Sequence, residues 1–202
     1  MTLPPPVDLG APLPSPTPSP EMLARLATRR SAPAQALTEP GPDAGQVADI
    51  LTLAARSPDH GKLFPWRFVV LGPVSRAEIA EQLGAMAVAK GLPSKARAVL
   101  AKLTAAPTTV LVISTAAPAS KPVWEQQLSA GAVCMNLEHA ASAFGFASSW
   151  ITDWYSYDAD ALPLFGVGEG EKVAGFIHLG TALEPLLERD RPDLTAITQH
   201  RP

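Results

Sequence analysis

Residues 123–144, VWEQQLSAGAVCMNLEHAASAF, form the longest helix candidate in the chain and constrain its fold most. From Leu128 onward the segment is apolar or small nearly all round, and only Asn136, Glu138 and His139 interrupt it. A helix that is apolar on every side is buried on every side. Ala130, Gly131, Ala132 and Ala140 are small enough to let a neighbour approach closely. The rest of the chain must therefore supply layers around a central helix.

Those layers are legible as alternating elements. Ser19-Pro20-Glu21 reads as a helix start, with Ser19 as N-cap, proline in the first turn and an acid near the positive end of the dipole. Met22, Leu23 and Leu26 then share one face. A second helix begins near Asp43, carries Val47, Ile50, Leu51 and Ala54 at helical spacing, and ends before Pro58. WRFVVLG (66–72) is a buried strand. Ser75 and Glu78 are spaced as a capping box, and 93–104 reads as one further short helix. Strands are expected at 108–116, 147–152 and 173–181, the last two separated by a short helix around DADALPLFG, with a polar tail ending in a loop. No repeat is visible, and the order gives a mixed α and β domain over 21–202. Residues 1–20, eight of them proline, read as an extended tail of weak order.

Charged residues make up only 17% of the chain against 47% hydrophobic. Average soluble domains carry about 25% charge, so part of the apolar surface is expected to be hidden against a partner subunit. A net charge of −3 points to neither nucleic acid nor a membrane surface. The single cysteine, Cys134, excludes an internal disulfide framework and suits a reducing compartment; in its apolar run it reads as a small buried hydrophobe rather than a nucleophile. No apolar run reaches bilayer-spanning length, and the first residues lack the features of a secretory signal, so a cytoplasmic protein is expected.

Motifs of the simplest kind are missing. There is no GxGxxG or GxxxxGK[ST] phosphate loop, no HExxH and no CxxC, and His60, His139, His178 and His200 lie far apart, so no metal site is expected. Three polar spots remain. Arg29-Arg30-Ser31 offers planar guanidinium forks and a hydroxyl suited to phosphate, although cations at the end of a helix also complement its dipole. RSPDHGKLFPWRF (56–68) is a loop feeding a core strand, a common place for binding residues, or a plain turn anchored by Trp66. Arg189 and Arg191 alternate near the C-terminus, either facing one anion or solvated beside local acids.

Together, RRS, SPDHGKLFPWRFVV, WEQQLSAG and GFIHLGT, in this order and spacing, resemble the flavin-dependent nitroreductase family, in its YdjA-like branch of small bacterial enzymes. The resemblance covers about residues 21–195. It implies an α+β fold with a central, mainly antiparallel sheet flanked by helices, and an intertwined homodimer with FMN at the subunit interface. Carried onto this chain, it implies that Arg29, Arg30 and Ser31 hold the FMN phosphate, ribityl chain and flavin edge. His60 and Phe64 would lie in the next contact loop, reaching the same or the partner's flavin. Trp150, Ile151 and Thr152 would lie beside the isoalloxazine, and Arg189 or Arg191, with Arg191 preferred, would grip the phosphate. Lys62, or Arg29 in its stead, is the candidate for the charge at the flavin N1/O2 edge. The chain departs from the branch in having Phe64 where that branch has Gln and Trp-Ile-Thr where it has Trp-Arg-Ser, and both changes remove polar contacts.

The implied activity is an FMN-dependent NAD(P)H oxidoreductase acting by a ping-pong cycle on nitroaromatic or quinone-type acceptors. No Rossmann unit is present, so the nucleotide would bind transiently. Two other readings stay open: a dimeric flavin-binding or sequestering protein with little turnover, motivated by Phe64 and Ile151, and a helical-sheet dimer whose arginines merely cap helices. Residues 84–106 would form a basic lid or a solvated amphipathic helix.

Overall fold

The computed structural model describes residues 3–201. Helix α1 (Pro20–Ala27) starts as its sequence dictates, with the Ser19 hydroxyl accepting the Met22 N–H at 3.3 Å. A 3-10 turn (Ala34–Ala36) leads into β1 (Leu37–Thr38), and α2 (Ala44–Ala54) opens on a reciprocal capping box between Asp43 and Gln46. Then come β2 (Trp66–Leu71) and α3 (Pro73–Ala89). The expected Ser75–Glu78 capping box does not form. Proline has the φ a first helical turn needs and lacks the N–H that would be orphaned there, so the helix begins at Pro73 with Gly72 as its cap. The single helix expected at 93–104 is two, α4 (Ser94–Ala98) and α5 (Ala101–Ala105).

The second half contains β3 (Thr108–Ser114), α6 (Val123–Ala143), β4 (Ala147–Ile151) and β5 (Lys172–Ala182). Between β4 and β5 the expected short helix is a pair of 3-10 turns, Trp154–Ser156 and Leu162–Phe165, the second ended by Gly166 at φ 70°. The C-terminal tail, expected to be loop, also carries a short helix, α7 (Leu194–Ile197).

Every strand pairing among the described residues is antiparallel. Eleven-residue β5 is the axis. It pairs with β3 along one edge and with β4 along the other, β2 flanks β3, and β1 pairs with the last residues of β5. Period-2 alternation sorts the core into two layers. Val110, Val112, Ile177 and Leu179 face α2 and α6, meeting Ile50, Ala54, Val133, Cys134 and Leu137. Leu111, Ile113 and Phe176 face α3, α5 and the 3-10 turns, where Tyr155, Phe165 and Phe176 form an aromatic cluster with centroids 4.9–5.7 Å apart. Arg76 is buried beneath this layer and donates to the carbonyls of Leu103, Ala106 and Pro107, satisfying the end of α5. Burial lowers its pKa.

In the single chain, α6 is covered by the sheet and by α2 but not all round. Trp124 and Leu128 stand 67% and 54% exposed. Met22, Leu23 and Leu26 of α1 are exposed as well, and α1 is tied to α6 through Arg25, whose guanidinium donates to the Ser142 carbonyl at 2.6 Å. Two apolar helix faces are therefore left without cover by this chain alone.

Candidate functional site

Thr28 caps α1, so Arg29 and Arg30 lie beyond the helix rather than in its last turn. The chain is held extended there by the Ala32 N–H, which donates to the Ser148 carbonyl of β4 at 2.9 Å. The Arg30 guanidinium donates to the Leu187 carbonyl at 2.9 Å and to the Ser31 carbonyl at 3.2 Å. Arg191 donates to the Arg29 carbonyl at 3.1 Å across a sequence separation of 162, and pairs with Glu188 at 2.8 Å. Arg29 donates to the Ser31 hydroxyl at 3.4 Å and faces Glu138 at 3.8 Å. Three guanidiniums and one hydroxyl from opposite ends of the chain thus gather in one place.

That place is a pair of adjoining clefts. One, about 530 Å³, runs between Arg30, Ser31 and Thr38 and the segment Leu183–Glu188. The other, about 280 Å³, is lined by Arg25, Arg29, Glu138 and Ser148, and the two share Arg30 and Leu186. The partners of Arg30 are carbonyls, weak acceptors that a doubly charged anion would outcompete, whereas Arg191 is shared between the Arg29 carbonyl and the Glu188 carboxylate. Glu138 is the acid that reasoning from sequence missed. It is almost fully buried, accepts the Ser148 hydroxyl at 3.0 Å and faces Arg29; its one visible signal was its break in an otherwise apolar helix. Arg189 takes no side-chain part, and its backbone N–H donates to Glu188. That N–H, followed by Arg191, lowers the Glu188 pKa.

The 59–64 loop sits elsewhere. His60 Nδ1 lies 2.6 Å from Glu125 at the start of α6, whereas Arg29 meets Glu138, thirteen positions further along the same helix. At a rise of about 1.5 Å per residue, the arginine cleft and this loop are roughly 20 Å apart along α6. Lys62 and Phe64 are exposed and both have positive φ. Trp66, behind them, donates to the Ser129 hydroxyl at 3.2 Å, which in turn donates to the Pro58 carbonyl at 2.8 Å.

β4 starts beside the cleft at Ala147 and Ser148 and ends in Trp150 and Ile151, with Thr152 directly after it. Trp150 donates from Nε1 to the Ala174 carbonyl at 3.1 Å, and its indole crosses the open face of Gly175, where any side chain would collide with it. Ile151 packs into the core and Thr152 accepts the Tyr157 hydroxyl at 2.9 Å. One chain therefore brings Arg29, Arg30, Ser31 and Arg191 together beside the start of β4, and leaves His60, Lys62 and Phe64 distant.

Cys134 is fully buried and its thiol is pushed up to about 12, mainly by burial, which leaves no thiolate at neutral pH. No group of three His, Cys, Asp or Glu side chains suits a metal ion, and no helix is long and apolar enough to cross a membrane, among the described residues.

The model of the nitroreductase family matches residues 26–181. YdjA of Escherichia coli K12, whose name is that of a provisional NAD(P)H nitroreductase, is 34% identical over 166 residues, covering 80% of this chain and 88% of the relative. A relative of the same description from Haemophilus influenzae is 34% identical over 81% of this chain and 90% of its own. Among solved structures, a nitroreductase with bound FMN from Bacteroides fragilis superposes with a TM-score of 0.71 at 26% identity, over 91% of this chain and 100% of that one. A nitroreductase-like protein from Bacillus cereus superposes with a TM-score of 0.76 at 16% identity, over 92% and 98%.

Proposed function

We propose, from the premise that this chain belongs to the nitroreductase family, that it is an FMN-dependent NAD(P)H oxidoreductase and works as a homodimer. The carrying observation is the convergence of Arg29, Arg30 and Ser31 on one pair of clefts, with Arg191 held against the Arg29 carbonyl beside them. The donor set fits a phosphomonoester: guanidinium forks bind phosphate oxygens by charge-assisted hydrogen bonds, and the hydroxyl of Ser31 adds another donor. Trp150 and Thr152, one β-strand away, supply an aromatic surface and a hydroxyl for a flat ring.

When bound, FMN would supply the chemistry, taking hydride from NAD(P)H and returning it to a nitroaromatic or quinone-type acceptor that follows the nucleotide into the same pocket. The residues bind, orient and shield. Arg30 and Arg191 fix the phosphate end. Glu138 holds Ser148 and limits the excess positive charge around Arg29. The distant His60, Lys62 and Phe64 complete the site of a partner subunit, and the uncovered faces of α6 and α1 form the contact that brings them there. Symmetric pairing of two chains gives two such sites.

Anaerobic mixing of the purified, FMN-loaded protein with NADH or NADPH tests the reading. Loss of the visible flavin absorbance with either nucleotide is the expected result. Ile151 is apolar and half-buried against the core and Phe64 has no polar group, which favours one rival, a flavin carrier with little turnover; flavin bleached by dithionite alone would select it. A protein that ignores FMN altogether would overturn both.

A further inference from the structure

Arg191 already holds an anion, and that anion belongs to the chain itself. Glu188 Oε1 accepts Arg191 Nη2–H at 2.8 Å, Arg191 Nε–H at 3.1 Å and the Arg189 backbone N–H at 2.8 Å. One edge of a guanidinium and a backbone N–H, converging on a single oxygen, form a cradle that an oxygen of a phosphate also fits. The Arg189 N–H, the Arg191 hydrogen bonds and the charges of Arg191 and Arg30 hold the Glu188 carboxyl below its usual range.

The same acid controls what Arg191 can reach. Glu188 lines the larger cleft, together with Arg30 and Ser31, whereas Arg191 lines neither of the two clefts. Arg30 donates to the carbonyl of Leu187, the neighbour of Glu188, and Arg191 donates to the Arg29 carbonyl, so the contact is anchored to the body of the chain on both sides. An anion that enters beside Arg30 therefore meets a carboxylate before it meets Arg191. The pair is open to water, with the side chains of Glu188 and Arg191 65% and 45% exposed. Exposed ion pairs are weak, so a phosphate dianion can displace this carboxylate, and an uncharged group cannot.

We propose that Glu188 is the resident anion of the phosphate cradle. Loading is an exchange in which a phosphomonoester oxygen takes the place of Glu188 Oε1 on the Arg189 N–H and the Arg191 fork. Glu188 thereby sets the threshold for entry: a phosphorylated ligand crosses it, and the same molecule without its phosphate does not. The proposal rests on the flavin reading for the identity of the ligand, not for the exchange.

The test uses the full chain stripped of flavin. FMN and riboflavin are titrated at low salt, with flavin fluorescence as the signal. Glu188→Gln keeps an oxygen that can accept the same three N–H groups, so the cradle keeps its shape while the competitor loses its charge. This variant is expected to bind FMN about three- to fivefold more tightly than wild type, a gain that high salt erases. Its affinity for riboflavin stays at the wild-type value. In an Arg191→Ala background the same substitution gives no gain, because the exchange needs the fork. Inorganic phosphate repeats the comparison without flavin, with the amide resonance of Arg189 as the readout. Weaker FMN binding by Glu188→Gln would show that the acid braces Arg191 for its ligand and would overturn the proposal. So would unchanged binding, an equal gain for riboflavin, or a gain that persists in Arg191→Ala. A chain that shows the exchange with inorganic phosphate yet ignores FMN overturns the flavin reading alone.

Discussion

At the scale of single residues, cations held in place differ from cations that are merely near. Arg30 and Arg191 are placed by tertiary hydrogen bonds, while the Arg189 side chain has none. A hydrogen bond to a charged group contributes about 1.5–3 kcal/mol, and about 1.4 kcal/mol is tenfold in affinity. Arg30→Ala is therefore expected to weaken FMN binding by about 10- to 100-fold in a flavin-fluorescence titration, and Arg189→Ala by less than threefold. His178 carries a different consequence. Burial, reinforced by the charges of Arg76 and Lys102, pushes its imidazole down to about 4. An unfolded histidine titrates near 6.5, so between about pH 6.5 and 4 the unfolded chain binds more protons than the folded one. Stability is full above that window and falls as the pH drops through it, by roughly 3 kcal/mol at the bottom. Urea midpoints across that pH range should show the loss in wild type and a flatter profile in His178→Gln; equal slopes would contradict the assignment.

At the scale of elements, α6 decides the fold, and its weight is measurable. Leu137 is fully buried between the helix and the sheet, so Leu137→Ala should cost about 2–5 kcal/mol in urea unfolding. A loss below 1 kcal/mol would mean that this face is not core. This helix was legible in the sequence because its apolar residues are continuous, and the strands were legible because runs such as WRFVV and TTVLVIS are β-branched and bounded by turn residues. The start of α3 was not, because Pro73 and Ser75–Glu78 offer competing start signals two residues apart. The split between α4 and α5 also escaped. The arginine triplet stood out through its charge, yet only the fold shows that Arg191 lies against Arg29. Asp59 and Glu138 were passed over because their partners are backbone amides in one case and a serine and an arginine in the other, contacts that no spacing rule encodes.

At the scale of the whole molecule, the open question is what covers α6 and α1 and what meets the loop at 59–64. The account answers both with a second copy of the chain. Leu128→Asp places an unpaired charge on the exposed stripe of α6; it should convert dimer to monomer in light scattering and release FMN, while the far-ultraviolet circular dichroism stays unchanged. The most direct measurement mixes two inactive variants. One chain carries Arg30→Ala and Arg191→Ala, and the other carries His60→Ala, Lys62→Ala and Phe64→Ala. If each site takes its arginine cleft from one subunit and its loop from the other, the purified heterodimer has one intact site, and turnover of a nitroaromatic with NAD(P)H should return to about half the wild-type value per dimer. A heterodimer no more active than either parent homodimer would contradict the account.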